Sequence, residues 1–407
     1  MLLCAAVIVL MCVPAALRAA PAAALRSPFD ARVDALGRRA LLRLPPQALV
    51  DPARQRAARK ITDLRQACFL CWAGAQIWAF AWLWRSGRAA RLRDYLRRQT
   101  RARWVYRTAF GAALGLLAPL AGLPFAFIAY RIDFNVGLTE EVIGSWLLAY
   151  ARGMLVDAFG AALAVTIVLE LVDRTRLWYL AFIAMLFAVP IGVVAVYPVA
   201  VAPFVAYFVP LPIAAAAPVV EADASARTRT LTAATLGIGP FTRIVLGDVL
   251  LAGATPPEVR YVVQHEDAHV RHDDVLKMAV IAITMFVFSV ALAVLISDRI
   301  GFRRDDDAVS RLALVGAFLG AVCFLMYPLF NAYARGIEYR ADEDARHRLA
   351  DRSAAVRFLV RSADHDLIPL CARRSLSWYF ADHPALGSRI AEMRGTEDPC
   401  PHSPATR

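Results

Sequence analysis

Six long apolar runs constrain the fold of this chain more than any other feature. An α-helix needs about 20 mostly apolar residues to cross the roughly 30 Å hydrocarbon layer of a bilayer. Hydrophobic residues make up 59% of the 407 residues, whereas a soluble domain has about 45–50%. The chain is therefore predicted to be an all-α multi-pass membrane protein. The predicted spans cover residues 67–84, 108–130, 153–172, 177–200, 276–297 and 308–330.

A shorter apolar run at residues 2–17 precedes these spans. No basic residue stands in front of it and small residues follow it, a pattern that fits both a signal peptide and a short first span. Both interpretations stay open, so the fold class is six or seven spans.

The net charge of +12 would by itself also fit a nucleic-acid-binding protein. The distribution of the charge argues against this. Residues 18–67 hold 11 basic and 4 acidic groups, and residues 85–107 hold 9 and 1. Both stretches flank apolar runs, where arginine is a signal of membrane orientation. We therefore expect a lipid bilayer as a partner and no nucleic acid.

The two basic stretches give opposing signals of orientation. If residues 85–107 stay in the cytoplasm, as the positive-inside rule requires, alternation places residues 201–275 on the non-cytoplasmic side. The basic residues of 18–67 would then also lie outside, against the same rule. The sequence leaves the side of the membrane open.

The seven cysteines are odd in number and lack the paired spacing of a disulfide framework, so no structural disulfide network is expected. Cys68 and Cys71 form a C-x-x-C pattern, but they open an apolar run and have no second pair of Cys or His nearby. Small residues packed between helices explain them better than a metal or redox site does.

A helix start is predicted at residue 255. Thr255 and Glu258 have the spacing of a capping box, and Pro256 fits the first helical position. The helix then carries the sequence His-Glu-x-x-His at residues 265–269. This pattern is rare by chance in a chain with 7 His, and it is typical of zinc hydrolases.

The spacing of this motif explains its chemistry. His265 and His269 are four residues apart and share one helix face, so their rings can bind one tetrahedral zinc ion. Glu266 lies about 100° round the helix. From there its carboxylate can take a proton from a water whose pKa zinc lowers toward about 7.

A third ligand is predicted directly after the last apolar run. Glu338 and Asp342 are four residues apart on one helix face. Glu338 can complete the zinc site, while Asp342 can accept the free ring N–H of a ligand histidine and fix its tautomer. The run before Glu338 and the run after His269 bring both helices to one membrane face.

These residues resemble the integral-membrane zinc metallopeptidases of the type I CAAX prenyl endopeptidase family, including their bacterial relatives. The resemblance covers about residues 60–395 and rests on Arg243-Ile-Val-Leu with Asp248 and Leu250, the His-Glu-x-x-His, Asn331-Ala-Tyr with Arg335, Glu338, Ala341 and Asp342, and His383-Pro384 with Arg389-Ile390.

The resemblance implies a role for each matching residue. It assigns zinc binding, one ion per chain, to His265, His269 and Glu338. It assigns activation of water to Glu266. It also implies that His383 and Arg389 hold the scissile carbonyl and its oxyanion, where donors aimed at developing negative charge contribute strongly to catalysis.

Two departures from the family pattern affect the site. Asp267-Ala268 replaces the usual Leu-Gly inside the motif, which we expect to add a carboxylate close to the metal. Thr232 precedes Ala233 where the family has Asn before Ala in its substrate-side strand. A hydroxyl there would replace the amide that contacts substrate backbone, so Thr232 and Ala233 are the predicted substrate-binding residues.

The sequence thus predicts a membrane-embedded zinc metalloendopeptidase with a gluzincin-like site and a small β element at about 227–250. Its substrate would be a peptide or membrane protein, and its location the inner membrane of a bacterium. The predicted regions are a signal peptide or first span (1–25), a basic amphipathic segment (26–66), amino-terminal membrane helices (67–210), substrate-edge strands with the His-Glu-x-x-His helix (211–275), two spans (276–330), and the Glu-ligand helix with a carboxy-terminal cap (331–407).

Two other functions fit part of the pattern. A membrane sensor can carry a similar zinc site, but it would need a sizeable sensing domain, and only about 75 residues follow the last apolar run. A scaffold with a degenerate site is favoured by Asp267 and Thr232. Zinc content and chelator-sensitive cleavage distinguish these functions.

Overall fold

The computed structural model describes residues 28–200, 202, 207–300 and 306–400. The predicted signal peptide or first span, at 1–25, lies outside the described residues. The helices are α1 (Pro28–Asp34), α2 (Arg38–Arg43), α3 (Pro46–Leu49), α4 (Pro52–Arg85), α5 (Arg88–Gln99), α6 (Arg103–Asn135), α7 (Ile143–Arg174), α8 (Trp178–Ala200), α9 (Asp248–Gly253), α10 (Pro256–Arg271), α11 (Asp274–Ile300), α12 (Leu312–Arg348), α13 (Arg352–His365), α14 (Arg374–Phe380) and α15 (Leu386–Arg394). The strands are β1 (Phe208–Pro210), β2 (Val219–Ala222), β3 (Ala233–Leu236) and β4 (Arg243–Gly247).

The six predicted spans are confirmed. Within the described residues, 6 helices are long and apolar enough to cross a membrane, namely α4, α6, α7, α8, α11 and α12. Exposed apolar side chains along them, such as Leu147, Leu163, Leu180 and Leu325, are the surface that lipid would cover. The chain is an integral multi-pass membrane protein.

Five of the six spans are longer than the apolar runs that identify them, and α4 and α12 extend furthest beyond their runs. Helix α4 begins at Pro52, where the Asp51 carboxylate accepts hydrogen bonds from the backbone N–H groups of Ala53 (2.7 Å) and Arg54 (3.0 Å). It is continuous through residue 66. Helix α12 is likewise continuous through residue 330, so the last span and the helix that carries Glu338 form one rigid element.

A four-stranded sheet lies between α8 and α10, with strand order β1-β2-β4-β3. Strand β2 is parallel to β4, and β3 is antiparallel to it. Strands β3 and β4 lie within the β element predicted at about 227–250. β3 is an edge strand, so one side of its backbone is free to pair with another chain.

A buried apolar cluster fixes α10 against the sheet and the carboxy-terminal helices. It includes Ile244 of β4, Val262 of α10, Leu359 of α13 and Ile390 of α15, none more than 4% exposed. Full burial stabilises each such side chain by about 1.5–3 kcal/mol. The cluster therefore holds the helix with the His-Glu-x-x-His motif in a defined position.

The prediction that the chain has no structural disulfide is wrong for one pair of cysteines. Cys371 and Cys400 are bonded, with a Cα–Cα distance of 5.5 Å. They are 29 residues apart in sequence and meet only because the chain folds back over α15, so their spacing carried no signal. Cys68 and Cys71 on α4 are free.

Candidate metal centre

The sequence around residue 255 starts α10 as predicted. Pro256 is the first residue of the helix, and Thr255 and Glu258 form the capping box, in which the Thr255 N–H donates to Glu258 Oε2 at 2.7 Å. The helix continues through Arg271. The two histidines of the motif therefore lie one turn apart on one face.

Three predicted ligands meet at one point. His265 Nε2 lies 3.3 Å from His269 Nε2 and 3.2 Å from Glu338 Oε2, and Glu338 Oε1 lies 3.5 Å from His269 Nε2. Among the described residues, His265, His269 and Glu338 form a group of side chains whose ligand atoms lie close enough together to hold one metal ion. Helices α10 and α12 position it.

The geometry of this group fits a tetrahedral metal ion. An ion bound at about 2.0–2.2 Å by nitrogen and oxygen requires neighbouring ligand atoms to lie about 3.3 Å apart. The three observed separations, 3.2, 3.3 and 3.5 Å, agree with that requirement. In addition, Glu338 Oε2 is buried and makes no hydrogen bond to any described residue, so it is available as a ligand.

The other ring nitrogen of each histidine faces a buried carboxylate. Asp342 Oδ1 lies 3.0 Å from His265 Nδ1, and Asp274 Oδ2 lies 3.0 Å from His269 Nδ1. Carboxylates in these positions orient ligand rings and make them more basic. The sequence predicted Asp342 for this position. It missed Asp274, five residues after His269 and at the first position of α11, although that spacing was the available signal.

The same carboxylates favour positive charge at the ligand rings. Burial lowers the pKa of His265, but the neighbouring carboxylates of Asp342 and Glu338 outweigh it and raise the pKa to about 10. The environment therefore favours a cation at this place, as a metal site requires.

Arg389 lines the cavity, and its guanidinium pairs with Asp342. Its Nε donates to Asp342 Oδ2 at 2.6 Å and its Nη2 to Oδ1 at 2.8 Å, and the Tyr261 hydroxyl donates to the same Oδ1 at 3.0 Å. Burial and the Asp342 charge raise the pKa of Tyr261, so it stays a neutral donor. Arg389 thus neutralises and positions the carboxylate behind His265.

Glu266 lies beside the ligand group and lines the cavity. The residue is 7% exposed, and its carboxylate oxygen Oε2 accepts a hydrogen bond from the Thr235 hydroxyl at 2.9 Å. Thr235 belongs to the edge strand β3. The sequence did not indicate this contact, because it joins residues from the sheet and α10 that no spacing pattern relates.

The expectation that Asp267 adds a carboxylate close to the metal is wrong. Asp267 is two positions from His265, which places it about 200° round the helix. Its Oδ2 instead pairs with Arg271 at 2.5 Å and with Arg348 at 3.3 Å. The side chain therefore holds α10 against the end of α12 on the face away from the ligands.

The two predicted substrate-binding residues differ in position. Ala233 lines the cavity. The Thr232 hydroxyl is directed at Gly247 of β4, where a Cβ would lie only 2.3 Å from it, and the Gly247 N–H donates to the Thr232 carbonyl at 2.8 Å. The Thr232 side chain thus packs within the sheet, and Gly247 is the residue that makes room for it.

His383 reaches the ligand group from the carboxy-terminal segment. Its Nε2 lies 3.5 Å from Glu338 Oε2, and its Nδ1 lies 2.9 Å from Asp382 Oδ1. Burial lowers the pKa of His383, but Asp382 and Glu338 outweigh it and leave the pKa above its ordinary value. At 54% side-chain exposure, the imidazole can reach a bound substrate.

Two polar residues of α12 hold the segment that carries His383. The Asn331 amide donates to the Tyr379 carbonyl at 2.7 Å, and the Arg335 guanidinium donates to the Ala381 carbonyl. Both side chains belong to residues that are at most 7% exposed. Their separations from Glu338 are seven and three residues, so all three share one face of the helix. Asn331 and Arg335 belong to the motif recognised in the sequence, but the sequence did not indicate that they bind the backbone of the segment that carries His383.

The ligand group opens into a cavity of about 540 Å³. Its walls include Ala233 of the edge strand, His383 and, on the side toward the membrane, Thr62 and Gln66 of α4. Drug-sized ligands occupy cavities of about 300–1,000 Å³. The space therefore accommodates several residues of an extended peptide beside the free edge of β3.

The fold and the site together define an integral-membrane protein of the metallopeptidase class. Its His-His-Glu group lies between α10, which ends just before the span α11, and the extension of the span α12. Residues 211–397 match the model of peptidase family M48, and residues 57–206 match the CAAX prenyl protease N-terminal model, described as five membrane helices. The chain belongs to this family of membrane peptidases.

Curated relatives agree with this assignment. The Protease HtpX homolog of Bordetella pertussis is 26% identical over 162 residues, which are 36% of this chain and 54% of the relative. The homolog of Acidovorax ebreus is also 26% identical over 162 residues, which are 56% of that protein. The chain spans about half the length of the curated relatives it matches.

A solved structure shows the same fold. The crystal structure of S. mikatae Ste24p superposes with a TM-score of 0.66 at 17% sequence identity, covering 90% of this chain and 99% of that one. At this identity the likeness concerns the fold alone.

Proposed function

We propose that the protein is a zinc metalloendopeptidase that hydrolyses peptide bonds at the membrane surface. The observation that carries the proposal is the convergence of His265, His269 and Glu338 at the separations a tetrahedral ion requires. Two His and one carboxylate form a zinc set that leaves the fourth position open for water or substrate. When bound, zinc lowers the pKa of water toward about 7 and polarises the substrate carbonyl.

The residues around this group supply the remaining chemistry. Glu266 takes a proton from the attacking water and gives it to the leaving amine, since a single carboxylate can act first as base and then as acid. Thr235 holds this carboxylate at 2.9 Å. The geometry supports His383 as the donor to the developing oxyanion, and it supports Arg389 as a positioning residue that acts through Asp342.

The substrate would bind as an additional strand. The backbone of β3 pairs on one side with β4, and its free side borders the cavity through Ala233. Main-chain hydrogen bonds to a sheet edge bind extended polypeptides with little dependence on side chains. We infer that the substrate is an unfolded or extended segment of a peptide or membrane protein.

The substitution Glu266→Gln tests the mechanism. It keeps the size of the side chain but removes the base, so we expect zinc content to stay near one ion per chain while cleavage falls by about 10²–10⁴-fold. Metal analysis and cleavage of an unfolded reporter protein by the purified full chain measure both. Glu343→Gln is the matched control, because Glu343 is an exposed carboxylate of α12, and it should keep full activity.

Two results would contradict the proposal. Cleavage by Glu266→Gln at the wild-type rate would remove Glu266 from its role. Activity that survives removal of the metal by a chelator would show that the reaction does not use zinc. Loss of activity on chelation and its return with Zn²⁺ is the expected result, and it also separates an enzyme from a sensor or a scaffold.

A further inference from the structure

Helix α5 lies at the membrane face away from the candidate metal centre. Gln66 of α4 lines the cavity, and α4 ends at Arg85, 19 residues later. At 1.5 Å per residue this distance is about 28 Å, close to the thickness of the hydrocarbon layer. Because α5 connects α4 to α6, both of which are spans, it must lie near the lipid headgroups of the opposite leaflet.

One face of α5 is fixed to the protein. Ala89, Ala90 and Arg93 are buried, and the Arg93 guanidinium lies 2.9 Å from Asp307 Oδ1. Leu92 and Leu96 pack against an apolar cluster formed with α6 and the start of α12. The orientation of the helix is therefore defined, and so is the face that it turns outward.

The outward face carries guanidinium groups. Arg88, Arg91, Tyr95 and Arg98 are exposed, and at 100° per residue they fall within an arc of about 80°. In the described part of the chain, no carboxylate forms an ion pair with Arg88, Arg91 or Arg98. Arg91 donates a hydrogen bond to the Ser86 carbonyl at 3.2 Å. Their charge is thus available to an external anion.

Tryptophan side chains beside this face mark the depth of the interface. Trp78 and Trp82 stack with centroids 5.9 Å apart and are 64% and 37% exposed, and Trp104 is 61% exposed. The Arg88 guanidinium lies 4.1 Å from the Trp82 ring. Tryptophan is enriched where headgroups meet hydrocarbon, so these rings place the arginines at the level of lipid phosphates.

We propose that the exposed face of α5 binds the phosphate groups of anionic phospholipids. Guanidinium groups pair with phosphate through two parallel hydrogen bonds, and basic clusters on amphipathic helices next to a span recognise anionic lipid. Three arginines over ten residues of helix cover about 15 Å, enough for more than one headgroup. This surface is separate from the proposed hydrolysis, and its failure would leave that function untouched.

The test compares lipid retention by the full chain in detergent. Phosphatidylglycerol and phosphatidylcholine are titrated separately, and native mass spectrometry counts the lipids retained. Each arginine near an anionic surface contributes roughly a fivefold gain in binding, so the triple variant Arg88→Gln/Arg91→Gln/Arg98→Gln should bind phosphatidylglycerol about 100-fold more weakly. Phosphatidylcholine retention should stay unchanged, and rising salt should reduce the wild-type preference.

A second triple variant controls for net charge. Arg39, Arg43 and Arg56 are exposed arginines before the apolar run of the first span, and their replacement by Gln removes the same charge. This control should retain phosphatidylglycerol as the wild type does, and melting temperatures of both variants should match that of the wild type. Equal losses in the two triple variants, no preference for phosphatidylglycerol, or capture of a DNA oligonucleotide in its place would overturn the proposal.

Discussion

Replacing Arg335 by Met tests whether α12 acts on catalysis through the segment it holds. The Arg335 guanidinium donates to the Ala381 carbonyl, two residues before His383. A hydrogen bond to a charged group is worth about 1.5–3 kcal/mol. If loss of this hydrogen bond displaces His383, kcat/KM should fall about 10- to 150-fold, since each 1.36 kcal/mol of activation free energy is a factor of ten in rate. Zinc content should not change, because no predicted ligand is removed.

A double-mutant cycle shows whether the loss passes through His383. Cleavage is measured for Arg335→Met, His383→Ala and the combined variant. If Arg335 acts by positioning His383, it has nothing left to position once the imidazole is gone, so the combined variant should be no slower than His383→Ala alone. Arg335→Lys keeps a donor and should recover part of the rate.

The cycle also separates this reasoning from its alternative. Arg335 lines the cavity as well, and a direct contact with substrate would make the two losses multiply. A combined variant that loses the product of the single effects would therefore refute the positioning role. Loss of zinc or a large fall in melting temperature in Arg335→Met would show a structural role instead.

Three further predictions concern stability and orientation. Burial, opposed by the His365 charge, raises the pKa of Asp366 from 3.8 to about 7, so the folded state binds the proton more tightly than the unfolded state. The wild type should therefore lose stability relative to Asp366→Asn as pH rises from about 4 to 7, and melting at pH 5 and pH 8 should show a loss of about 3 kcal/mol. Arg361 is fully buried and pairs with Asp30 and Glu258, so Arg361→Met should cost about 3–5 kcal/mol and speed proteolysis of α1. Disulfides such as Cys371–Cys400 form and persist mainly in oxidising compartments, and the positive-inside rule places the Arg-rich α5 in the cytoplasm. Both favour a carboxy terminus outside the cytoplasm, so a phosphatase fused after residue 407 should be active there, and cytoplasmic reporter activity would contradict this.

The spans and the motif helix could be predicted because their signals are local. A run of apolar residues, the capping box at Thr255 and the four-residue spacing of His265 and His269 each act within one helix. The structure confirms the helices that these patterns predict. Only their lengths differ, because polar residues at the ends of α4 and α12 pack on the protein outside the bilayer.

The contacts that complete the site are between elements distant in sequence. Thr235 meets Glu266 across 31 positions, and Asn331 meets the Tyr379 carbonyl across 48. Strands β1 and β2 were not predicted for the same reason, since β2 is stabilised by parallel pairing with β4 more than by its own four residues. Periodicity and spacing within a segment contain no information about such pairings.

Charge balance explains why Glu338 is the carboxylate left for the metal. An unpaired buried carboxylate costs several kcal/mol, and two carboxylates lie behind the histidine rings. Asp342 pairs with Arg389, and Asp274 pairs with Arg340. Glu338 contacts only histidines among the described residues. A histidine nitrogen must be deprotonated to bind a metal, so in the metal-bound site the ligand histidines would not balance the charge of Glu338. A bound cation would balance that charge. Replacing Glu338 should therefore remove a predicted ligand and lower the zinc content, whereas replacing Arg389 should leave Asp342 without its partner and weaken the orientation of the ligand rings.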